Sequence, residues 1–506
     1  MFPRPVPSLS PNSYAFETTP LVKPTGFREY DARWWYGIPG DSRAPELNLT
    51  GVTALGLGLG TLLHELGAGP DVVTGHDYRS YSASIKAALA NGLIAAGCRV
   101  HDIGLAVTPM AYFAQFSLDV QSVAMVTASH NENGWTGIKM GAARPLTFGP
   151  DEMARLKEIV LSAAFVTRAG GTYLSVPDMR ARYLADLADR PKLSRPIKAV
   201  VACGNGTASA FAPDALGRLG VDVVPLDTEL DWTFPRYNPN PEDLAMLHAI
   251  ADAVRASGAE IGLGFDGDGD RCGVIDETGA EIFADKVGVL LARDMSERHK
   301  AATFVVDVKS TGLYATDPVL AANGATTDYW KTGHSYIKRR VRELDALAGF
   351  EKSGHYFLNP PIGRGYDDGL LSALAILDLL DRNPGTPLSA LTARLKRTWS
   401  SPTMSAECPD EEKYGIADAV TERFRRVLES GEKLGGHAIV DLITVNGVRA
   451  VTDDGTWGLV RASSNKPELV VVVESPVSEA RMREMFAVVD AFMREHAVVG
   501  RYNQTL

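Results

Sequence analysis

The sequence is poor in cysteine, lacks an excess of positive charge and contains no long apolar run. Its four cysteines have no paired spacing, which gives no zinc motif and is typical of a reducing cytosol: Cys98, Cys203, Cys272 and Cys408. A formal net charge of −11 argues against general affinity for nucleic acid or anionic membranes. The longest apolar runs, such as 469–473, have the length of a strand and cannot span a membrane. We therefore expect a cytoplasmic protein without nucleic-acid or membrane partners.

The N-terminal segment also lacks the continuous apolar region of a targeting signal. It is rich in proline and serine, and we expect a poorly ordered arm over residues 1–24.

Short β-branched runs alternate with amphipathic helical stretches along most of the chain. This alternation is typical of α/β domains with crossover helices. A length of 506 residues suggests about three or four domains. The last hundred residues differ, because helices near 410–428 and 478–496 flank strands near 437–445 and 469–474, as in an α+β domain. The predicted domains are 25–172, 173–282, 283–402 and 403–506.

The most distinctive motif is the acidic loop Asp266-Gly267-Asp268-Gly269-Asp270. Its three carboxylates occupy alternate positions and would repel one another strongly unless a cation lay among them. Ligation by oxygen alone is what Mg²⁺ or Ca²⁺ prefers. The motif therefore predicts a site for a hard divalent cation.

Two alternatives exist for this loop. An EF-hand needs glycine at the sixth position, where Arg271 stands, and the flanking segments 261–265 and 272–275 read as strands rather than helices. A solvated acidic turn without a metal is the second alternative.

Four further loops carry polar groups, and three of them follow predicted strands. The first, Thr127-Ala128-Ser129-His130-Asn131, lacks the Gly-x-Ser-x-Gly spacing of a nucleophile elbow, and a serine hydrolase or a simple turn serine both stay open. The others surround Lys309, the Thr332-Gly333-His334 segment and the Glu351-x-Ser353-Gly354-His355 segment. Near the C-terminus, Arg461-Ala462-Ser463-Ser464-Asn465 combines groups suited to binding phosphate.

Taken together and in this order, the motifs resemble those of the α-D-phosphohexomutase family, most closely its phosphomannomutase/phosphoglucomutase branch. The resemblance begins at Phe27-Arg28-Glu29-Tyr30-Asp31 and extends to Arg461–Asn465. It implies four domains around a central cleft, three of them α/β units with mixed sheets and the fourth a smaller α+β domain. It also implies small-molecule phosphosugars as partners, and the chain would act as a monomer or homodimer.

The resemblance further implies a reaction that moves a phosphoryl group between O1 and O6 of a hexose. The expected hexoses are mannose and also glucose. A phosphorylated Ser129 would donate to the sugar phosphate, and a hexose 1,6-bisphosphate would be both intermediate and activator. Mg²⁺ would be held by Asp266, Asp268, Asp270 and Ser129. The catalytic candidates are Ser129, His130, Lys139, Arg28 and His334, with Lys139 or His334 as general base. The substrate-binding candidates are Arg271, Lys309, Thr332, Gly333, Glu351, Ser353, His355, Arg461, Ser463, Ser464 and Asn465.

Three positions depart from the family pattern and bear on fine substrate preference. Glu132 replaces the usual proline after His-Asn, Phe350 replaces a glycine before the glutamate, and Ser464-Asn465 differs from the commoner phosphate-loop forms. Within the family, a phosphoglucosamine mutase is the nearer alternative. A non-catalytic phosphosugar-binding protein is the other.

Overall fold

The polypeptide forms three α/β domains followed by a C-terminal domain with an antiparallel sheet. The computed structural model describes residues 2–504 and Leu506. These residues form two compact units. The first unit runs to Ile282 and also includes Ser353–Ser389, and the second comprises Phe283–Lys352 and Ala390–Leu506.

Domain I contains a mixed six-stranded sheet in the order β1-β5-β4-β2-β3-β6. Strands β2, β3, β4 and β6 are parallel, whereas β5 is antiparallel to both β1 and β4. The carboxyl ends of β2 and β4 therefore lie side by side. The elements are α1 (Tyr14–Thr18), β1 (Ala32–Trp35), α2 (Leu49–Glu65), β2 (Asp71–His76), α3 (Ser82–Ala95), β3 (Arg99–Leu105), α4 (Thr108–Ser117), β4 (Ser122–Val126), β5 (Trp135–Gly141), α5 (Pro150–Ser162) and β6 (Thr172–Ser175).

The N-terminal arm makes specific contacts between residues 6 and 24, where a poorly ordered segment was expected. Val6 bridges to Leu21, and Leu21 is fully buried. The Asn48 side chain accepts a hydrogen bond from the Leu21 N–H and donates to the carbonyls of Phe16 and Thr19. The buried Asn48 side chain thus pairs with three backbone groups of the arm.

Domain II has a five-stranded mixed sheet in the order β11-β10-β9-β7-β8. β7 is parallel to β8 and β9, while β10 is antiparallel to β9 and β11. The acidic loop connects β9 to β10, so strands flank it on both sides as predicted, and the EF-hand alternative is excluded. The elements are α6 (Met179–Ala188), β7 (Lys198–Ala202), α7 (Ala212–Gly217), β8 (Asp222–Leu226), α8 (Leu244–Ser257), β9 (Ile261–Phe265), β10 (Cys272–Asp276) and β11 (Glu281–Ile282).

Domain III is built on parallel strands, with β12 between β13 and β14. Its elements are α9 (Ala284–Arg298), β12 (Thr303–Asp307), α10 (Leu313–Thr316), α11 (Pro318–Ala322), β13 (Thr326–Trp330), α12 (His334–Glu343), β14 (Ala348–Phe350), β15 (Tyr356–Leu358), α13 (Gly369–Asp381) and α14 (Leu388–Thr392).

The segment Ser353–Ser389, with β15 and α13, belongs to the first unit. Polar contacts attach it to domain II. The Tyr183 hydroxyl donates to Asp368 at 2.9 Å, and the Arg364 guanidinium forms a bidentate pair with Asp186 at 2.5 and 2.6 Å.

Domain IV is an antiparallel sheet in the order β16-β22-β21-β20-β19-β18, with β17 also paired to β22. Helices α15 and α16 pack on it around an apolar core that includes Phe424, Val460 and Met485. The elements are β16 (Trp399–Ser400), β17 (Met404–Glu407), α15 (Lys413–Ser430), β18 (Lys433–Leu434), β19 (His437–Ile443), β20 (Val448–Thr452), β21 (Trp457–Ala462), β22 (Glu468–Ser475) and α16 (Glu479–Arg494).

These four domains confirm the predicted fold class of three α/β units and an α+β domain. The arrangement of the domains around a cleft stays a prediction. Across residues 2–504 and Leu506, helices long and apolar enough to cross a membrane are absent.

Candidate active site

Ser129 lies in a tight loop directly after β4. Its φ of 52° places a residue other than glycine in the left-handed region, which is an uncommon and strained conformation. The Ser129 N–H donates to the Thr127 hydroxyl at 2.9 Å, and the Ala128 N–H donates to Asp77 at 3.2 Å. These bonds hold the loop in a shape that sequence propensity would not favour.

Asp77 and Arg79 form a buried clamp on this loop that the sequence analysis missed. The two side chains form an ion pair, and Arg79 donates to the carbonyls of Ser129 at 2.9 Å and Asn131 at 2.7 Å. Both residues follow β2, the parallel neighbour of β4. Because carboxyl ends of parallel strands meet at one edge, an Asp-x-Arg after β2 was a usable signal.

All three aspartates of the acidic loop are fully buried. One Asp266 oxygen accepts hydrogen bonds from the backbone N–H groups of Asp270 at 3.1 Å and Arg271 at 3.2 Å. One Asp268 oxygen accepts from the hydroxyls of Thr108 at 2.6 Å and Thr127 at 3.1 Å. The loop is therefore a rigid internal feature, which excludes the solvated-turn alternative.

The serine loop and the acidic loop are in direct contact. The Ser129 hydroxyl donates to Asp266 at 3.2 Å and lies 3.3 Å from Nδ1 of His130. Gly267 makes this approach possible, since a Cβ there would stand 2.5 Å from the Ser129 carbonyl oxygen.

Lys139 projects from β5 into the same cluster. Its ammonium donates to Asp268 at 2.9 Å and also pairs with Asp270. Burial by itself would lower the pKa of Lys139, but the charges of Asp268, Asp270 and Asp367 outweigh it and raise the pKa above its usual value. Lys139 is thus held as a cation.

The acidic cluster has the properties of a cation site. Burial, and then the charges of Asp270 and Asp268, raise the pKa of Asp266 well above its usual value. Burial opposes ionisation of Asp268, but Lys139 and the Thr108 hydroxyl lower its pKa. Buried Oδ1 atoms of Asp268 and Asp270 accept no hydrogen bond from the described residues. Mutually close carboxylate oxygens, two of them unsatisfied, fit a hard divalent cation.

Arg271 and His355 lie beside this cluster in the first unit. Nε of Arg271 donates to Nε2 of His355 at 3.0 Å, so the proton of a neutral ring would be on Nδ1. Nδ1 lies 3.1 Å from Asp367 and 3.6 Å from Asp270. Asp367, which the sequence analysis did not select, therefore lies close to His355 beside the acidic loop. Ser353 is partly exposed in the same segment.

Arg28 lies in the turn that precedes β1. The turn is closed by its N–H, which donates to the Asp31 carbonyl at 2.9 Å. Ala32 pairs with Ile138, the residue before Lys139, so the turn adjoins the strand that carries the lysine.

In the second unit, Asp307 connects three of the predicted loops. Its carboxylate accepts from the Ser310 hydroxyl at 2.5 Å, the Thr332 hydroxyl at 3.0 Å and the Lys352 N–H at 3.2 Å. Lys309 lies 3.7 Å from the same carboxylate. Asp307 is fully buried and ends β12, which explains how one side chain can reach loops from neighbouring strands.

Glu351, Gly333 and His334 form the next part of this group. The buried Glu351 carboxylate accepts the Gly333 N–H at 2.6 Å, and His334 begins helix α12. Gly333 has a φ of 130°, which favours glycine at this position.

Arg461 is the penultimate residue of β21, and the loop 463–467 connects this strand to β22. The Ser463 N–H donates to the Glu468 carbonyl at 2.9 Å, and the Ser463 hydroxyl accepts from the Lys466 N–H at 3.2 Å. Arg461, Ser463 and Ser464 are buried, whereas Asn465 is partly exposed.

The three departures from the family pattern have different environments. Glu132 is exposed to solvent. Phe350 is fully buried and packs against the rings of Tyr314 and Phe304 at 5.9 and 6.0 Å, so its side chain belongs to the core of domain III. Ser464-Asn465 retains polar side chains in the turn after Arg461.

The structure therefore brings together two groups of predicted residues. Ser129, His130, Lys139, Arg271, His355 and the three aspartates meet in the first unit. The second unit brings together Lys309, Thr332, Gly333 and Glu351. It also contains Arg461 and its loop, which belong to domain IV.

Comparisons with known proteins match this chain domain by domain. Four family models match in succession: phosphoglucomutase/phosphomannomutase alpha/beta/alpha domain I over residues 27–167, domain II over 181–279, domain III over 283–398, and the C-terminal domain over 406–491. The chain is 34% identical to the phosphomannomutase/phosphoglucomutase of Pseudomonas putida over 91% of this chain and 94% of that one. It is 31% identical to a phosphoglucomutase of Neisseria gonorrhoeae over 81% and 85% of the two chains.

A solved structure is similar to this chain over nearly the whole length of both proteins. The crystal structure of a phosphoglucomutase/phosphomannomutase family protein from Burkholderia thailandensis matches with a TM-score of 0.83 and 29% identity, covering 96% of this chain and 100% of that one. The chain thus belongs to the phosphoglucomutase/phosphomannomutase family of α-D-phosphohexomutases and is an isomerase of hexose phosphates.

Proposed function

We propose that Ser129 is the phosphoryl carrier of this mutase. The observation that carries the proposal is the 3.2 Å contact between the Ser129 hydroxyl and Asp266, inside a cluster of three buried aspartates. The phosphorylated serine would pass its phosphoryl group to a hexose monophosphate. Ser129 would then recover the other phosphoryl group from the resulting hexose 1,6-bisphosphate, which would also activate the unphosphorylated enzyme.

Asp266, Asp268 and Asp270 would hold Mg²⁺ together with an oxygen of phosphoserine. Bound there, the ion would offset negative charge on the transferring group. The unsatisfied oxygens of Asp268 and Asp270 support this ligand set.

The remaining catalytic candidates divide by charge. The raised pKa of Lys139 favours a permanent cation that contacts the phosphoryl group. Arg28 and His130 would contribute further contacts to it. This division leaves His334 as the candidate general base.

The substrate would be bound by the other predicted residues. Arg461, Ser463, Ser464 and Asn465 would hold the phosphate that is not being transferred, because guanidinium and hydroxyl groups suit phosphate oxygens. Glu351 and Ser353 would bind sugar hydroxyls. Lys309, Thr332, Gly333, Arg271 and His355 would complete the contacts.

Phosphate labelling of Ser129 tests the carrier and the metal together. Incubation with glucose 1,6-bisphosphate and Mg²⁺, followed by peptide mass mapping, should place phosphate on Ser129. Excess chelator should abolish turnover, and added Mg²⁺ should restore it. Ser129→Ala should lose turnover, whereas Ser122→Ala, a buried serine within β4, is the matched control and should retain it.

Phosphate found on another residue, or full turnover by Ser129→Ala, would refute the carrier proposal. Undiminished turnover in chelator would refute the metal proposal alone.

We also propose that the enzyme accepts both mannose and glucose phosphates. The two sugars differ only at C2, and strong rejection requires a buried polar group aimed at the differing hydroxyl. Anchoring through Glu351, Ser353 and the phosphate gives little discrimination there. Values of kcat/KM for the two sugar phosphates should lie within about tenfold, or ~1.4 kcal/mol. A preference of ~10³ would reveal a C2-directed contact and contradict this proposal.

The other predicted attributes of the protein have partial support. The described cysteines are all free and buried, which supports a cytoplasmic location. Phosphosugars are the proposed partners, and the proposed active form is a monomer or homodimer. The similarity to phosphomannomutases and phosphoglucomutases does not favour a phosphoglucosamine mutase or a non-catalytic binding protein.

A further inference from the structure

Arg449 is a buried guanidinium that none of the roles above uses. It lies on β20, is 2% exposed, and stacks between the rings of Tyr329 at 4.3 Å and Trp457 at 3.7 Å. Its Nη1 donates to the carbonyl oxygens of Val308 at 2.9 Å and Ser310 at 2.6 Å. These are the residues on either side of Lys309.

The charge of Arg449 is not neutralised by an ion pair. Across residues 2–504 and Leu506, carboxylates within 4.0 Å of its guanidinium are absent. Burying a cation without a carboxylate partner is unfavourable, and a residue needed only for packing would be apolar here. The carbonyls of the Lys309 loop, defined as residues 308–312, and two aromatic faces replace the missing partner.

Glu474 of β22 holds the other end of the same loop. Its buried Oε1 accepts from the Thr311 hydroxyl at 3.0 Å, the Gly312 N–H at 2.8 Å and the Trp457 indole at 3.1 Å. Domain IV therefore contacts the Lys309 loop of domain III through one cation and one anion. The Arg449 cation donates to backbone carbonyls, and the Glu474 anion accepts from a backbone N–H.

The face of the sheet that contacts the Lys309 loop also carries Arg461. Arg449 pairs with Leu459 across β20 and β21, and side chains two residues apart share a face of a strand. Trp457, Leu459 and Arg461 thus share the face of Arg449. Val308 packs in one apolar cluster with Trp457, Leu459 and Val472 on this face.

We propose that Arg449, with Glu474, is a positioning residue that fixes Lys309 relative to Arg461, so that the two cations meet the substrate as one rigid pair. The proposal rests on the substrate-binding role proposed above for Lys309.

The test is a double-mutant cycle between Arg449 and Lys309. Arg449→Met should raise KM about tenfold and change kcat by less than about threefold, because it misplaces a binding group and leaves the reacting groups untouched. Lys309→Met should lower kcat/KM by at least as much. In the double variant, the Arg449 substitution should cost no more than about threefold further, since no lysine remains to be positioned.

Stability is controlled in two ways. Arg449→Lys keeps the charge but loses the planar double donation, and it should resemble Arg449→Met in KM. Val489→Ala removes core volume from domain IV behind the sheet and should lower Tm without raising KM. Hydrogen exchange in the Lys309 loop should accelerate in Arg449→Met and stay unchanged in Val489→Ala.

The outcomes separate the two proposals. Unchanged kcat/KM in Lys309→Met would refute the proposed role of Lys309, and the positioning proposal with it. If Lys309→Met is impaired, the positioning proposal fails when Arg449→Met keeps a normal KM, when the two effects multiply in the double variant, or when Val489→Ala raises KM equally.

Discussion

At the scale of single residues, the site is built from buried charges that compensate one another. Lys139 offsets two of the three aspartates, and two carboxylate oxygens accept no hydrogen bond from residues 2–504 and Leu506. A cluster of this kind is costly to bury unless opposite charge compensates it, and the proposed Mg²⁺ would supply that charge. Domain IV also contains a buried cation, Arg461. It is 6% exposed and donates to the Ala462 carbonyl at 2.8 Å.

Arg461→Ala should raise KM for the hexose monophosphate by about 10- to 100-fold, the range expected when one charge-assisted hydrogen bond to phosphate is lost. The change in kcat should be much smaller, and labelling of Ser129 by the bisphosphate should persist. Steady-state kinetics would measure this, with Arg483→Ala, an exposed arginine on α16 paired with Glu479, as the control. A normal KM in Arg461→Ala would show that this residue does not bind the phosphate.

At the scale of elements, the serine loop and the acidic loop pack closely because Gly267 has no Cβ atom. The serine loop follows a parallel strand and the acidic loop closes an antiparallel hairpin, and their backbones touch at Gly267. The Ser129 carbonyl that faces this glycine is also bonded to Arg79. The loop therefore has little freedom to move away.

Gly267→Ala should lower kcat by about 10²-fold, because the new methyl group must displace the Ser129 backbone from its position beside the acidic loop. The φ of Gly267 lies outside the left-handed region, so the clash rather than backbone strain is the cause. Gly217→Ala is the matched control, since a Cβ there meets nothing within 4 Å. Kinetics and thermal unfolding should be compared in both variants. Full activity in Gly267→Ala would mean that the contact between the two loops is not essential.

At the scale of the whole molecule, the chain passes three times between its two units, and Ser353–Ser389 returns to the first. Asp368 is central to that return. It caps α13 by accepting from the N–H groups of Leu370 and Leu371, and it accepts the Tyr183 hydroxyl. Burial raises the pKa of Asp368 to about 6, despite these hydrogen bonds.

This raised pKa predicts a stability that depends on pH. A carboxyl group whose folded pKa exceeds its unfolded value of 3.8 contributes stability that is present below pH 3.8 and is lost as the pH rises through about 6. The contribution is about 3 kcal/mol between pH 4 and 7. Asp368→Asn preserves an N-cap without titrating, so the free energy of unfolding of the wild type should fall relative to the variant over this range. Denaturant unfolding at several pH values would measure it, and parallel profiles for the two proteins would contradict the prediction.

The sequence by itself determined the family, the α/β alternation and the acidic loop, because each of these is written in residues close together in the chain. The periodicity of helices and strands can be recognised from a short stretch of sequence. The same is true of a motif such as Asp-Gly-Asp-Gly-Asp. The confirmed fold class and the predicted hexose phosphate isomerase both follow from such local patterns.

Only the tertiary structure decided which distant groups meet. Lys139 reaches Asp268 across 129 residues of sequence, and Arg79 supports Ser129 across 50. Phe350, which looked like a change near the substrate, packs into a core instead. Asp307 and Arg449 acquire their roles only because strand order places three loops around one carboxylate and a domain IV strand beside the Lys309 loop. Strand order and interdomain packing arise from the burial of many side chains at once, so no local stretch of sequence encodes them.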